Sequence, residues 1–117
     1  MRMREQIELL DFSIVPPGVL CIRLNDPDRR NALSEAMLAA LSDAFDNATK
    51  NPEIRVVILS SNGSVFSAGH DLKEMTSARQ DMDGGREYFH KILLKCSTVM
   101  QKIVDCPKPV IAEVGGV

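Results

Sequence analysis

Residues 64–75 read SVFSAGHDLKEM and are the most informative segment of the chain. It follows an apolar, β-branched run at 56–59, which predicts a strand covered on both faces, as in a parallel sheet. Asp71, with Glu74 as its partner three residues later, is typical of a helix N-terminus and predicts a cap rather than a catalytic base. The stretch therefore predicts a strand, a loop of small residues and a helix in succession, which is one unit of an α/β fold.

Outward from this stretch, the chain alternates predicted strands and helices. A Pro-Pro-Gly turn at 16–18 joins two strand-like segments and predicts a hairpin. Ser34 is typical of a helix cap, and apolar residues at helical spacing follow it. The predicted order β-β-α-β-α-α-β indicates an α/β fold with parallel crossovers. The predicted strands cover residues 8–15, 19–24, 56–59 and 110–114, and the predicted helices begin at Ser34, at Asp71 and near Phe89.

Composition excludes several classes of protein. A length of 117 residues allows one domain, and a net charge of −2 argues against a dedicated nucleic-acid binder. No apolar stretch is long enough to span a bilayer, and the N-terminal residues show no signal peptide. Three cysteines without Cys-x-x-Cys spacing suit a reducing compartment. We expect a cytoplasmic protein, or alternatively a mitochondrial one, with neither nucleic acid nor membrane as a partner.

The end of the sequence also bears on domain organisation. The chain stops three residues after the strand predicted over 110–114, where a buried strand of an open sheet would feed a return helix. We therefore expect residues 1–117 to form a single partial domain, a piece of a larger fold. The alternative is a small complete α/β domain in which this strand lies at the edge of the sheet.

The loop before the predicted helix is a candidate site. Its small residues leave backbone N–H groups open to a ligand, and such groups can stabilise an oxyanion on a carbonyl or thioester. A turn that only connects two elements would look the same. Ser67, His70 and Asp71 do not fit a Ser-His-Asp triad, because neighbouring side chains diverge and no Gly-x-Ser-x-Gly motif is present. His70, His90 and the cysteines lack the spacing of metal ligands, so no metal site is expected.

Three segments resemble signatures of the enoyl-CoA hydratase/isomerase (crotonase) family. Residues 66–74, FSAGHDLKE, resemble its F-x-A-G-x-D-[LI] signature, and residues 30–34, RNALS, resemble its R-N-A-L-[ST] segment. Residues 107–112, PKPVIA, resemble its K-P-[VT]-[IV]-A strand. The resemblance covers the chain from about Leu9 onward and implies the incomplete N-terminal half of a crotonase-like (ClpP/crotonase) ββα spiral fold. A His at the variable position between Gly and Asp of the first signature, here His70, is similar to the branch called enoyl-CoA hydratase domain-containing protein 3-like.

The resemblance also implies roles for individual residues. The backbone N–H of His70 would be one of two oxyanion-hole donors for the thioester carbonyl, and its imidazole could line the acyl pocket. Main-chain groups of Ala68 and Leu72 would contact the adenine of coenzyme A, and Arg29 or Arg30 would lie near its phosphates. No separate cofactor is expected, since coenzyme A is part of the substrate. The other residues implied in substrate or coenzyme A binding are Ala32, Gly69 and Asp71.

The family's activity would be hydratase or isomerase chemistry on an acyl-CoA thioester, through an enolate, in fatty acid and lipid metabolism. In the family, Asn-Gly-x and then a Gly-rich turn into a helix follow the last strand, and that turn supplies the second oxyanion donor. Here Gly115 stands in the Asn place and the chain ends at Val117. The two hydratase glutamates would lie beyond Val117, so we expect this chain alone to be inactive. The alternative is a non-catalytic truncated form or interaction fragment that pairs with a full-length partner. Trimers or hexamers are expected for the full-length family protein.

Overall fold

The computed structural model describes residues 8–117, and its elements follow the predicted order. The expectation of no signal peptide rests mainly on residues 1–7, which lie outside the described residues. A single turn of 3-10 helix, Pro27–Arg29, lies in the predicted loop after the hairpin. The elements are β1 (Leu10–Val15), β2 (Val19–Leu24), α1 (Glu35–Lys50), β3 (Val56–Ser61), α2 (Leu72–Ala78), α3 (Arg86–Asp105) and β4 (Val110–Ala112).

The four strands form one mixed sheet in the order β1-β2-β3-β4. The pair β1 and β2 is antiparallel, with Leu10 opposite Leu24, which confirms the hairpin. The pairs β2–β3 and β3–β4 are parallel, and helices make both crossovers, as predicted. The carboxyl ends of β2, β3 and β4 therefore lie along one edge of the sheet.

Helix α1 covers one face of this sheet. The Ser34 side chain accepts a hydrogen bond from the Met37 N–H at 3.1 Å, which confirms Ser34 as the cap. The apolar stripe of α1 joins Ile22 and Val57 of the sheet in one core, and α3 contributes Ile92 and Val99 to it. The buried residues of the stripe are Met37, Leu38, Leu41, Ala44, Phe45 and Ala48.

Helix α2 begins at the predicted cap, but Glu74 does not act as the partner of that cap. The Asp71 carboxylate accepts hydrogen bonds from the N–H groups of Lys73 and Glu74, which confirms Asp71 as the cap. Glu74 instead accepts a hydrogen bond from the Glu35 N–H, at the start of α1, at 3.0 Å. A pattern within four residues cannot show that the N-terminus of another helix lies beside them.

The sheet face opposite α1 is open in the part of the chain that the structure describes. Cys21, Ile58 and Ile111 lie in register on this face, and Ile111 is 53% exposed. Strand β4 lies at the sheet edge and ends at Ala112 rather than at residue 114. Within the described residues, the predictions of a doubly covered β3 and a buried β4 are therefore wrong. A β-branched run indicates two apolar faces but does not specify what covers each one.

Membrane crossing requires a helix that is both long and apolar. No helix within residues 8–117 is long and apolar enough to cross a membrane.

Candidate functional site

Two loops meet at the carboxyl edge of the parallel strands. The first, called here the β2 loop, is residues 25–34, and the second, the β3 loop, is residues 62–71. Because β2 and β3 are neighbours, the two loops start side by side, and the Ala68 N–H donates to the Arg30 carbonyl at 2.9 Å. Ligands of open α/β sheets bind at this edge, so the junction of the loops is the candidate site.

The peptide group between Gly69 and His70 is oriented by the β2 loop. The Leu33 N–H donates to the Gly69 carbonyl at 2.7 Å, and Leu33 pairs with His70 in an isolated parallel bridge. The C=O and N–H of one trans peptide point in opposite directions, so the His70 N–H points away from Leu33. Within residues 8–117 this N–H has no backbone acceptor. A donor held in a fixed direction and left unused is what an oxyanion hole requires.

Asn31 holds the two loops together. Its side chain is fully buried, and its Nδ2 donates to the carbonyls of Asn62 at 2.8 Å and Val65 at 2.9 Å. Its Oδ1 accepts from the Asp26 N–H at 2.7 Å. Both Arg30 (φ 55°) and Asn31 (φ 53°) adopt the left-handed conformation, which Asn tolerates better than most residues. Sequence reasoning missed this role, although an Asn in a tight loop was an available signal.

An ion pair joins the β2 loop to the start of α2. The Arg29 guanidinium lies 2.5 Å from Asp71 Oδ2, and the Asp71 side chain is 5% exposed. Arg29 is thus engaged in holding the cap residue. The side chain of the exposed Arg30 has no partner among the described residues. Of the two arginines predicted to lie near phosphates, Arg30 is the one whose guanidinium remains available.

The His70 side chain lies at the same junction. It is partly buried, and its Nδ1 atom is buried without a hydrogen-bond partner among residues 8–117. The preceding Gly69 has a φ of 85°, which an L side chain rarely adopts. No atom lies within 4 Å of where a Gly69 Cβ would stand, so the approach to this peptide is open.

The structure brings most of the predicted site residues together at this junction. Ala68 is exposed and Leu72 is 73% exposed, whereas Ala32 is buried in the β2 loop. The Ala68 N–H is already bonded to Arg30, which leaves the Ala68 carbonyl for a ligand. The substrate and coenzyme A roles remain predictions for Arg29, Arg30, Ala32, Ala68, Gly69, Asp71 and Leu72.

Two grooves among the described residues lie away from the junction. One of about 650 Å³ runs between α1 and α3, and one of about 750 Å³ runs between β1 and α1. Neither includes a residue of the β2 or β3 loop. Within residues 8–117 the candidate site is an open edge, since Ala68 is exposed and nothing lies within 4 Å of a Gly69 Cβ.

The sequence and the fold of this chain are similar to those of known proteins from one enzyme family. Residues 15–117 match the family model described as enoyl-CoA hydratase/isomerase. The chain belongs to the enoyl-CoA hydratase/isomerase family. The crystal structure of an enoyl-CoA hydratase from Mycobacterium smegmatis matches 92% of this chain and 40% of its own, with a TM-score of 0.84 and 44% identity. This similarity confirms the crotonase-like fold.

Two relatives show where the chain stands within the family. It is 43% identical over 117 residues to the mitochondrial enoyl-CoA hydratase domain-containing protein 3 of Danio rerio, all of this chain and 39% of that protein. It is 33% identical over 114 residues to the mitochondrial Delta(3,5)-Delta(2,4)-dienoyl-CoA isomerase of Mus musculus, covering 93% of this chain and 35% of that protein. The first similarity agrees with the branch suggested by His70. The chain thus spans less than half the length of these relatives.

Proposed function

We propose that this chain supplies an oxyanion donor and the coenzyme A side of a site for acyl-CoA thioesters, with enoyl-CoA hydratase/isomerase-type chemistry in the complete protein. One observation carries the proposal: Leu33 orients the Gly69–His70 peptide, and the His70 N–H is unused among the described residues. Membership of the family supports acyl-CoA thioesters as the substrate class.

In the proposed mechanism, the thioester oxygen accepts a hydrogen bond from the His70 N–H. Negative charge grows on this oxygen when a proton leaves C2 of the acyl group and an enolate forms. A donor that is already oriented stabilises the enolate without reorganisation, and removal of one such donor typically slows a reaction by about 10² to 10³. The family resemblance implies proton-transferring carboxylates beyond Val117, so we propose turnover for the complete protein only.

The coenzyme A side of the site would use the two loops. Arg30 would pair with phosphate oxygens, because a guanidinium makes charge-assisted hydrogen bonds to phosphate. The Ala68 carbonyl would accept from the adenine amino group. Arg29 would act indirectly, since its guanidinium holds Asp71 at the start of α2.

Location and assembly are also part of the proposal. The mitochondrial names of the two relatives support a mitochondrial protein rather than the cytoplasmic one expected first. The complete protein would form a homo-oligomer with acyl-CoA as its substrate.

Calorimetric titration of the purified chain with acetyl-CoA and with S-ethyl-CoA, a thioether without the carbonyl oxygen, tests the proposal. We expect acetyl-CoA to bind more tightly, because only its carbonyl accepts from the His70 N–H. Arg30→Ala should weaken binding of both ligands. Arg55→Ala is the matched control, because exposed Arg55 precedes β3 and lies at the opposite edge of the sheet. A folded chain that binds neither ligand, or binds both equally, would contradict the proposal.

The second candidate function is a non-catalytic form that pairs with another chain. The exposed apolar residues at and just beyond β4 favour it, since Ile111 is 53% and Val114 is 57% exposed and β4 lies at a sheet edge. Self-association without acyl-CoA binding would support this candidate over the first.

A further inference from the structure

The Ser67 hydroxyl connects the β3 loop to the β2 loop. It donates a hydrogen bond to the Asn31 carbonyl at 2.8 Å and accepts one from the Gly69 N–H at 3.1 Å. Within residues 8–117 neither of these two backbone groups has a backbone partner. One half-buried side chain therefore satisfies a backbone acceptor of one loop and a backbone donor of the other.

Gly69 is the point at which the proposed oxyanion donor could lose its direction. A glycine has more backbone freedom than any other residue, and Gly69 adopts a φ of 85°. No atom beyond its chain neighbours lies within 4 Å of where its Cβ would stand, so packing at that position does not restrain it. Hydrogen bonds on either side of Gly69 therefore set the direction of the His70 N–H.

Two such hydrogen bonds are present, one on each side. The Leu33 N–H donates to the Gly69 carbonyl at 2.7 Å, which fixes the peptide that follows Gly69. The Ser67 hydroxyl accepts from the Gly69 N–H, which fixes the peptide that precedes it. Because each peptide is planar, fixing both leaves the φ and ψ of Gly69 little range. The first contact joins two backbone groups, whereas the second uses a side chain that a substitution can remove.

We propose that Ser67 is a positioning residue for the oxyanion donor: its hydroxyl keeps the His70 N–H aimed at the thioester oxygen. The inference rests on the proposed function, because the His70 N–H must first bind that oxygen. A donor is most effective when it is oriented before the negative charge develops. Ser67 therefore acts on the acyl end of the ligand and leaves the binding of the coenzyme A portion unchanged.

Calorimetry with acetyl-CoA and S-ethyl-CoA separates these two parts of the ligand. In the unsubstituted chain we expect a preference for acetyl-CoA, as the proposed function requires. Ser67→Ala should lower the affinity for acetyl-CoA by up to about tenfold, the equivalent of one hydrogen bond, and leave that for S-ethyl-CoA unchanged. Ser67→Thr keeps the hydroxyl and should retain the preference. Ser64→Ala is the matched control, because Ser64 is an exposed serine of the same loop.

Hydrogen exchange at the Gly69 amide provides a readout that needs no ligand. Ser67→Ala should accelerate this exchange about tenfold, because the amide loses its acceptor, and Ser64→Ala should leave it unchanged. Unchanged exchange in Ser67→Ala would show that the hydroxyl does not hold Gly69 and would overturn the inference.

The outcomes separate this inference from the proposed function. If the unsubstituted chain binds neither ligand, or binds both equally, the proposed function fails and the inference fails with it. If it prefers acetyl-CoA, and Ser67→Ala keeps that preference or weakens both ligands equally, only the role of Ser67 is overturned. Should Ser67→Ala not fold, Ser67→Cys decides, because a thiol is a weaker hydrogen-bonding group of similar size. It should reduce the preference, and an unchanged preference would overturn the inference.

Discussion

Several residues at the junction of the β2 and β3 loops fix the position of neighbouring backbone groups. The buried side-chain amide of Asn31 hydrogen-bonds three backbone groups of the two loops. Leu33 orients the Gly69–His70 peptide through its own backbone N–H. Such residues act at a distance, since they fix the direction of a donor that another group will use.

Asn31→Ala should therefore be strongly destabilising. The change leaves three part-buried backbone groups without their Asn31 partner and places Ala in a left-handed conformation, so we expect a loss of about 2–4 kcal/mol in the free energy of unfolding. Urea unfolding followed by circular dichroism measures it. Asn47→Ala, at an exposed position on α1, should change the value by less than about 0.5 kcal/mol. Equal effects of the two substitutions would show that the amide of Asn31 is not needed.

The two glycines after β4 provide a matched pair. A Cβ on Gly116 would stand 1.9 Å from the Ser64 carbonyl oxygen, whereas one on Gly115 would meet nothing within 4 Å. Gly116→Ala should displace this segment and break the hydrogen bond from the Phe66 N–H to the Gly116 carbonyl. Hydrogen exchange at the Phe66 amide should then accelerate in Gly116→Ala and not in Gly115→Ala. Unchanged protection in both variants would contradict the close approach.

Among the elements, α2 is short and depends on its neighbours. Its Glu74 carboxylate accepts from the Glu35 N–H at the start of α1 and from the Tyr88 hydroxyl of α3 at 3.4 Å. A negative charge at the N-terminus of α1 is favourable because of the helix dipole. One side chain of α2 thus connects three helices.

The titration of Tyr88 reports this connection. Burial, followed by the negative charges of Glu74 and Glu35, raises the pKa of Tyr88 above its ordinary value of 10.0. Tyr88 is the only tyrosine and the chain has no tryptophan, so absorbance near the phenolate band follows this residue alone. We expect a midpoint above 10.0, lowered by Glu74→Gln and unchanged by Glu87→Gln, which alters an exposed neighbour.

The sign of the linked stability follows from the same shift. A raised pKa in the folded state means that folding favours the neutral phenol of Tyr88. Its contribution to stability is complete below the ordinary pKa and is lost as the pH rises through the raised value. A midpoint at or below 10.0 would contradict the contact between α2 and α3.

At the scale of the whole molecule, the sheet is covered by helix on one face only within residues 8–117. On the open face, Cys21 of β2 and Ile111 of β4 lie on either side of Ile58 of β3, with which both are in register. An exposed apolar surface next to a free strand edge favours association with other chains.

Ile111→Lys should reduce self-association of the purified chain. A charge on this face disfavours apolar contact, so sedimentation velocity should show less concentration-dependent assembly than in the unsubstituted chain. Met82→Lys is the control, since Met82 is an exposed apolar residue in the turn before α3 and far from the sheet in sequence. An equal reduction by both substitutions would assign the effect to net charge instead.

Much of the fold could be predicted from local patterns. The caps Ser34 and Asp71, the hairpin and the order of elements all depend on residues close together in the chain, where spacing reflects conformation directly. The exposure of β4 could not be predicted, because the apolar run at 110–112 indicates what should be buried without specifying what buries it.

Local sequence patterns were enough to predict the α/β class, the bounds of β2 and the caps Ser34 and Asp71, and the sequence motifs indicated the family. Three contacts could be seen only in the folded chain: Arg29 holds Asp71, Glu74 accepts from the N-terminus of α1, and the Gly69–His70 peptide turns its N–H away from Leu33. These contacts join residues more than 30 positions apart, and no local spacing reports the direction of a bond that forms only when β2 and β3 bring their loops together.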